Sequence, residues 1–508
     1  MSAETQSVRA SALDAAIAFA RRKPGQLLAI VLGLHLAVWT LIPLATCFNL
    51  QLDLVEDLAL GKEWQLGYWK HPPLPWWVAD AVYRLTGLID SVYLLGPLAA
   101  VICLYGVWLL ARKVVGAVEA LIAVFALEGV HYYNFSVVKF AHDQMQLPFW
   151  AFTGLFFYRA VKQGRALDWV LAGVLLAGAF WSKYAAFVLA ASLGLFLLAD
   201  PVARKAWRSP GPYLMAAAFA IVIAPNFWWV INHDFLPLQY VDARARTAVH
   251  WYQYATYPLQ WTGGQALNLL PAAGLLALLY AGGKIAARGT GESEAFDRRY
   301  VTWLALGPFL VTTAAGALTG RLPIAMWGYP LWLFAPLAVL MWFKPVLEPR
   351  ALRRFAAGFI AVFVAMPVIY AVVEVGEPFV RDRLKATQYP GKRLADTLTR
   401  DWHDRYGTPL TYVSGTQFAA NNVAVYSPDR PHVLVDGELK LSPWIDKDDL
   451  RRRGLVLVWE EEFFQADLAK FRAIFGNFDV QPMLTLPRQA LHPLRPTHVF
   501  YAFIPPQP

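Results

Sequence analysis

Residues 52–77 read LDLVEDLALGKEWQLGYWKHPPLPWW and lie just beyond a hydrophobic run at 26–47. Asp53, Glu56 and Asp57 are spaced i, i+3, i+4, so a helix over Leu52–Gly61 would set all three on one face. The double proline after Lys70-His71 breaks helix and fixes the approach of the next segment. Pro75-Trp76-Trp77 then opens a helix expected to lie along the membrane surface, with both tryptophans as interfacial anchors. Three acids here fit a solvated helix face, with Asp53 near the N-terminus where a carboxylate is favoured. They also fit a carboxylate that takes a proton from an attacking hydroxyl. A neighbouring acid would raise that group's pKa or help hold a metal ion. Tyr68, Lys70 and His71 fall at headgroup level, placed to anchor the loop or to bind a lipid-linked phosphate.

The rest of the chain explains why such a loop meets lipid. The protein has 508 residues, 57% hydrophobic and only 16% charged, where a soluble globule carries roughly 25% charge. That composition is a polytopic membrane protein. Its net charge of +9 lies largely in short loops between apolar runs, which argues for topology rather than nucleic acid. Two cysteines, Cys47 and Cys103, both in apolar runs, give no disulfide framework. Arg21-Arg22-Lys23 precede the first run with no convincing cleavage site, so an uncleaved first span is expected.

Apolar runs fall near 26–47, 91–111, 115–132, 144–161, 167–182, 184–199, 211–232, 263–283, 300–318, 322–343 and 355–375. Basic clusters (Arg112/Lys113, Arg159/Lys162/Arg165, Arg204/Lys205/Arg208, Lys284/Arg288/Arg298/Arg299) occupy every second gap, which predicts a cytoplasmic N-terminus and about eleven crossings. Asp168 to Asp200 would run about 50 Å as one helix, too long for a bilayer core, and both ends are basic. It is expected to cross twice and turn at Ser182-Lys183-Tyr184. Residues 1–375 form the membrane module, with a first outer loop at 48–90. Residues 376–508 change to the composition of a small outer α/β domain: LTYVSG, HVLVD, GLVLVW and THVFYAFI read as strands, 391–405 and 462–475 as helices.

The other outer segments carry the remaining candidates. Asp143, at the start of the fourth run, either caps a helix or supplies a second acid. Lys183 either snorkels to water or serves a site, as an ionisable residue at membrane depth does by default. His233, Arg244 and Arg246 occupy the loop after the seventh run. Arginine forks suit phosphate oxygens, or the headgroups of membrane lipids. His131 and His142 are weak ligand candidates without a close partner.

Four stretches in this order, LDLVEDLALG…LGYWKHPPL, KFAHDQMQLPFWAFTGLFFY, LLAGAFWSKYAAFVL and APNFWWVINHDF, resemble bacterial GT-C glycosyltransferases. The resemblance is to the dolichyl-phosphate-mannose-protein mannosyltransferase-like group that includes the lipid A aminoarabinose transferases, over roughly residues 20–340. It implies a GT-C fold and transfer of a sugar from a polyprenyl-phosphate donor to a lipid, lipopolysaccharide core, glycan or protein acceptor on the periplasmic face of a bacterial inner membrane. It implies Asp53 and Asp143 as catalytic acids; beside them Glu56, Tyr68, Lys70, His71, Lys183, His233, Arg244 and Arg246 are the candidate substrate-binding residues. The aminoarabinose branch has lysine directly before the proline, where this chain has His71 with Lys70 one step earlier. Metal ligands are not implied, although the acids leave room for a divalent cation. The outer arginines would suit an acidic sugar such as a uronic acid.

A transporter or flippase for a lipid-linked glycan is the main alternative, and would want polar residues at mid-membrane depth. An envelope scaffold binding partners through its tail, and a ligase moving whole glycans, are the others.

Overall fold

A computed structural model describes residues 3–244, 246–287, 289 and 291–507; Arg288, among the basic loop residues above, lies outside them. Helices α1 (Ala3–Arg22) and α2 (Pro24–Thr46) meet at Lys23, with Pro24 at the first helical position, where its missing N–H costs nothing. The first outer loop holds α3 (Leu52–Gly61) and α4 (Leu74–Thr86). The body continues through α5 (Leu95–Val114), α6 (Ala117–Leu127), α7 (His142–Gln163), α8 (Ala166–Ser182), α9 (Phe187–Ala199) and α10 (Gly211–Asn232). It closes with α11 (Leu236–Arg244), α12 (Gln253–Tyr280), α13 (Glu292–Thr319), α14 (Ala335–Trp342) and α15 (Pro349–Gly376).

Among the described residues, six helical segments are long and apolar enough to span a bilayer: Pro24–Thr46, Ile89–Val114, Gly211–Asn232, Gln253–Tyr280, Glu292–Thr319 and Pro349–Phe379. This is fewer than the eleven crossings read from sequence. The remaining apolar runs are helical but short: 11 residues in α6, 17 in α8, 13 in α9 and 8 in α14. The 22-residue α7 opens on His142, Asp143 and Gln144, which dilute its hydrophobicity. The 168–200 stretch does break where expected. Lys183 is extended (φ −159°, ψ 130°) between α8 and a 3-10 turn at Tyr184–Ala186 that leads into α9.

The C-terminal α/β domain is a five-stranded sheet. Its strands are β3 (Tyr412–Gly415), β4 (His432–Val435), β5 (Leu455–Glu460), β6 (Leu484–Leu486) and β7 (Thr497–Ile504), in the order β4-β3-β5-β7-β6. Strands β4, β3 and β5 are parallel, while β7 is antiparallel to β5 and β6. Helices α16 (Gly391–Tyr406), α17 (Gln417–Tyr426), α18 (Lys447–Arg453) and α19 (Phe464–Phe475) flank it. The four expected strands and the helices near 391 and 464 are present; β6, α17 and α18 were not foreseen. A separate ribbon, β1 (Arg246–Thr247) with β2 (Arg321–Leu322), ties the loop before α12 to the turn after α13.

One hydrophobic core is shared between the first outer loop and this domain. Leu54, Val55 and Leu58 of α3 and Trp76 of α4 pack with Ala419, Ala420 and Val423 of α17 and with Val413 and Val456 of the sheet. Every residue of α3 from Leu54 to Gly61 is buried. A Cβ at Gly61 would strike the carbonyl of Trp76, so glycine lets α3 and α4 approach closely. Polar clamps seal the seam. Lys62 Nζ donates to the carbonyls of Arg430 and Pro431, both at 2.5 Å, and His432 Nδ1 lies 2.9 Å from Glu63. Asn49 donates to Asn422 Oδ1 at 3.1 Å, and the Leu50 N–H to the Tyr426 hydroxyl at 3.1 Å.

Candidate active site

The acids of α3 diverge in environment although they share a helix face. Asp53, in the first turn, is partly exposed. Burial, then the Glu56 charge, push its carboxyl up to about 6, with a further push from Asp143 and opposition from Lys70 and Lys139. Asp57 is 1% exposed and takes a hydrogen bond from the Trp76 indole. Burial, then the charges of Asp53 and Glu56, push its carboxyl well above the ordinary value. Glu56 lies between them and grips Lys70 Nζ at 2.5 Å from Oε1 and 2.6 Å from Oε2.

The loop after α3 folds back to deliver Lys70 and His71. Tyr68 pins it: its hydroxyl donates to the Leu60 carbonyl at 2.8 Å and its ring meets Trp76 edge-on at 4.2 Å. Tyr68 is fully buried, so it holds the loop rather than facing a ligand. Trp76 is likewise 0% exposed and belongs to the core instead of an interfacial belt, because the C-terminal domain covers it. Burial opposes the Lys70 charge, but Glu56 outweighs it and holds the ammonium above its ordinary value. For His71, burial and then His142, Lys70, Lys183 and Arg244 all push the ring well below the usual imidazole range. Of this adjacent pair, Lys70 is the cation and His71 a neutral ring.

The first turn of α7 supplies the other half. Asp143 accepts from Lys183 Nζ at 2.5 Å, and both side chains are buried. The break between α8 and α9 frees Lys183 to reach sideways into that turn. His142 packs against His71 with ring centroids 4.1 Å apart and the planes tilted by 39°, and lies 3.2 Å from the Pro72 carbonyl through Nε2. Tyr240 of α11 meets the edge of His71 at 5.5 Å, and Arg244 at the end of the same helix contributes to the field on that ring. Asp53, Glu56, Lys70, His71, Asp143, Lys183 and Arg244 therefore form one electrostatically coupled cluster drawn from four distant segments.

Two candidates stand apart. His233 stacks on Trp229 at 4.0 Å, with Nδ1 2.7 Å from that residue's carbonyl, behind the loop rather than at the acids. Arg246 is exposed in β1, its guanidinium 6.0 Å from the Tyr257 ring. Sequence reasoning missed Lys139, which acts on Asp53, and Gln417, which donates to Glu56 Oε1 at 3.2 Å. Lys139 sits in the outer segment 131–143 and was legible as a cation there. Gln417 had no local signal, since only the docking of α17 brings it near. Among the described residues, no group of three or more His, Cys, Asp or Glu side chains is arranged to hold a metal ion.

Residues 70–229, which include Lys70, His71, Asp143 and Lys183, match the family described as dolichyl-phosphate-mannose-protein mannosyltransferase. The chain superposes on ArnT from Cupriavidus metallidurans bound to undecaprenyl phosphate with a TM-score of 0.60, covering 94% of this chain and 98% of that one at 14% identity. The chain shares the fold of that ArnT. The same ArnT in its apo state gives a TM-score of 0.55. Two similar proteins come from Rhizobium johnstonii. The lipid A galacturonosyltransferase RgtD is 32% identical over 234 residues, 44% of this chain. The lipopolysaccharide core galacturonosyltransferase RgtB is 24% identical over 443 residues, 82% of this chain. The matched region spans 46% of RgtD and 84% of RgtB.

Proposed function

We propose that this chain transfers a sugar from a polyprenyl-phosphate donor to an envelope lipid or glycan, with inversion at the anomeric carbon. The observation that carries this reading is the convergence of a partly exposed acid, Asp53, with the cations Lys70, Lys183 and Arg244 at one end of the helical body. Asp53 takes the acceptor hydroxyl's proton as the new C–O bond forms. The bond from the anomeric carbon to the phosphate oxygen breaks, and the departing polyprenyl phosphate gains negative charge. Preorganised cations beside that oxygen stabilise the charge as it develops. If the acceptor is an ionised phosphate, Asp53 orients it instead.

Asp143 holds Lys183 in place, and His71 forms a neutral wall beside the phosphate. The names of both Rhizobium relatives, together with Arg244, favour a uronic acid as the sugar and lipid A or lipopolysaccharide core as acceptor. The chain then lies in a bacterial inner membrane, its N-terminus cytoplasmic and residues 376–508 periplasmic beyond a membrane module of residues 1–375. In this reading the five shorter or more polar helical runs cross in company with the six long ones, giving about eleven passages. Clustering of the charges at one end argues against a transport path through the middle.

Asp53→Asn in membranes, assayed with a lipid-linked sugar donor, tests the assignment. Turnover should fall by roughly 10²–10⁴-fold at normal expression, and wild-type turnover would remove Asp53 from the base role. Charge neutralisation is assigned to side chains, so EDTA should leave turnover within about twofold; a strict need for Mg²⁺ would instead make the acids metal ligands.

A further inference from the structure

A cleft of about 870 Å³ lies between the C-terminal sheet and the start of α3. Leu52, the residue before Asp53, lines it, as does Gln417, whose side-chain amide holds Glu56. Glu460 lies at its base, its carboxylate accepting hydrogen bonds from the Thr416 hydroxyl and, at 3.3 Å, from the Tyr389 hydroxyl. Lys70, Lys183 and Arg244 are not part of its lining. The cleft therefore leads to the same helix end as the phosphate cluster, from the side of the C-terminal domain.

Its chemistry differs from that cluster. Arg488 and Arg495 are its guanidinium groups, and both are spent on Asp382, at 2.9 and 2.6 Å. Glu461 and Glu462 stand exposed at the rim beside the half-exposed ring of Phe463, and Phe418 adds a second aromatic wall. Unneutralised carboxylates disfavour an anion. Aromatic faces beside hydrogen-bond acceptors match a sugar ring, which offers C–H bonds on one face and hydroxyl donors around its rim.

We propose that this cleft binds the saccharide of the acceptor, an uncharged or amino-bearing ring, and presents its hydroxyl to Asp53 from the C-terminal-domain side. The inference rests on the transferase reading for its purpose, while its binding chemistry is separable from it. The test uses the full chain in detergent, with two probes: the dephosphorylated, deacylated glucosamine disaccharide of lipid A and a neutral mannose oligosaccharide. Saturable binding of at least one probe is expected by calorimetry. Phe463→Ala and Glu461→Lys should each weaken it about tenfold, with undecaprenyl phosphate binding and the melting temperature held. Both side chains are exposed at the rim, and the melting temperature reports any loss of fold.

Absence of saturable binding by the wild type, unchanged binding in both variants, or equal competition by inorganic phosphate would overturn the proposal. If probe binding depends on the cleft but no lipid-linked sugar is ever transferred, the transferase reading falls and the saccharide site stands. If transfer proceeds and neither variant alters probe binding, the reverse holds.

Discussion

Gln417 of α17 donates a hydrogen bond to Glu56 of α3 at 3.2 Å, while Glu56 grips Lys70 through both carboxylate oxygens. The C-terminal domain thus touches the charge relay of the membrane module through one amide. Removing the amide with Gln417→Ala should cost about 1 kcal/mol of Glu56 positioning, or roughly fivefold in donor KM with kcat less affected. Unchanged donor KM would show that the contact only docks the domain.

The pH dependence follows from Asp53. Burial and Glu56 raise its carboxyl to about 6, so it is a competent base above that pH and protonated below it. The kcat/KM profile for a hydroxyl acceptor should therefore lose activity on an acidic limb centred near pH 6, absent in the residual activity of Asp53→Asn. The sign for stability is opposite. A carboxyl whose folded pKa lies above its unfolded value near 3.8 binds protons preferentially when folded, so its ionisation costs stability as pH rises from about 4 through 6. Asp53→Asn should thus melt no lower than wild type at pH 8, and a large loss there would mean Asp53 is structural.

Lys183 and Asp143 pair at 2.5 Å with both side chains buried. Lys183→Met strands the Asp143 charge and should destabilise the fold by about 3–5 kcal/mol. The double variant Lys183→Met/Asp143→Asn should recover most of the melting temperature, because neither charge is left alone, yet remain inactive. Recovery of turnover in the double variant would reduce the pair to a structural clamp.

Lys70 and His71 should separate by charge. Lys70→Ala removes a cation from the proposed phosphate site and should weaken undecaprenyl phosphate binding about tenfold or more, the weakening falling as salt rises. His71→Asn removes a neutral ring and should change the same affinity less, with no salt dependence. Equal effects would contradict the neutral state assigned to His71.

The helix periods and strand patterns were readable because each depends on local sequence. The i, i+3, i+4 acids set α3, and the basic ends of 168–200 forced the break at Lys183. Four short β-branched runs marked β3, β4, β5 and β7. The number of long spans was overread, because a run of apolar residues does not reveal how many of them the helix will use. The roles of Tyr68 and Trp76 were hidden for another reason. Both look like headgroup-level aromatics until the C-terminal domain is laid over them, and Gln417 lies more than 350 positions from the acid it meets. Similarly, Lys70 and His71 could not be ranked by sequence, since the difference lies in which neighbours press on each ring or ammonium.

Burial of α3 on two sides carries a last consequence. The short acidic helix is a keystone between lipid-embedded helices and a water-exposed sheet, so neither half presents a finished surface alone. Ending the chain after α15 would lay bare Leu54, Val55, Leu58 and Trp76 to solvent, inviting clumping before any chemistry can be assayed. Chimeras between homologues should tolerate exchange of the tail only when residues 48–90 travel with it.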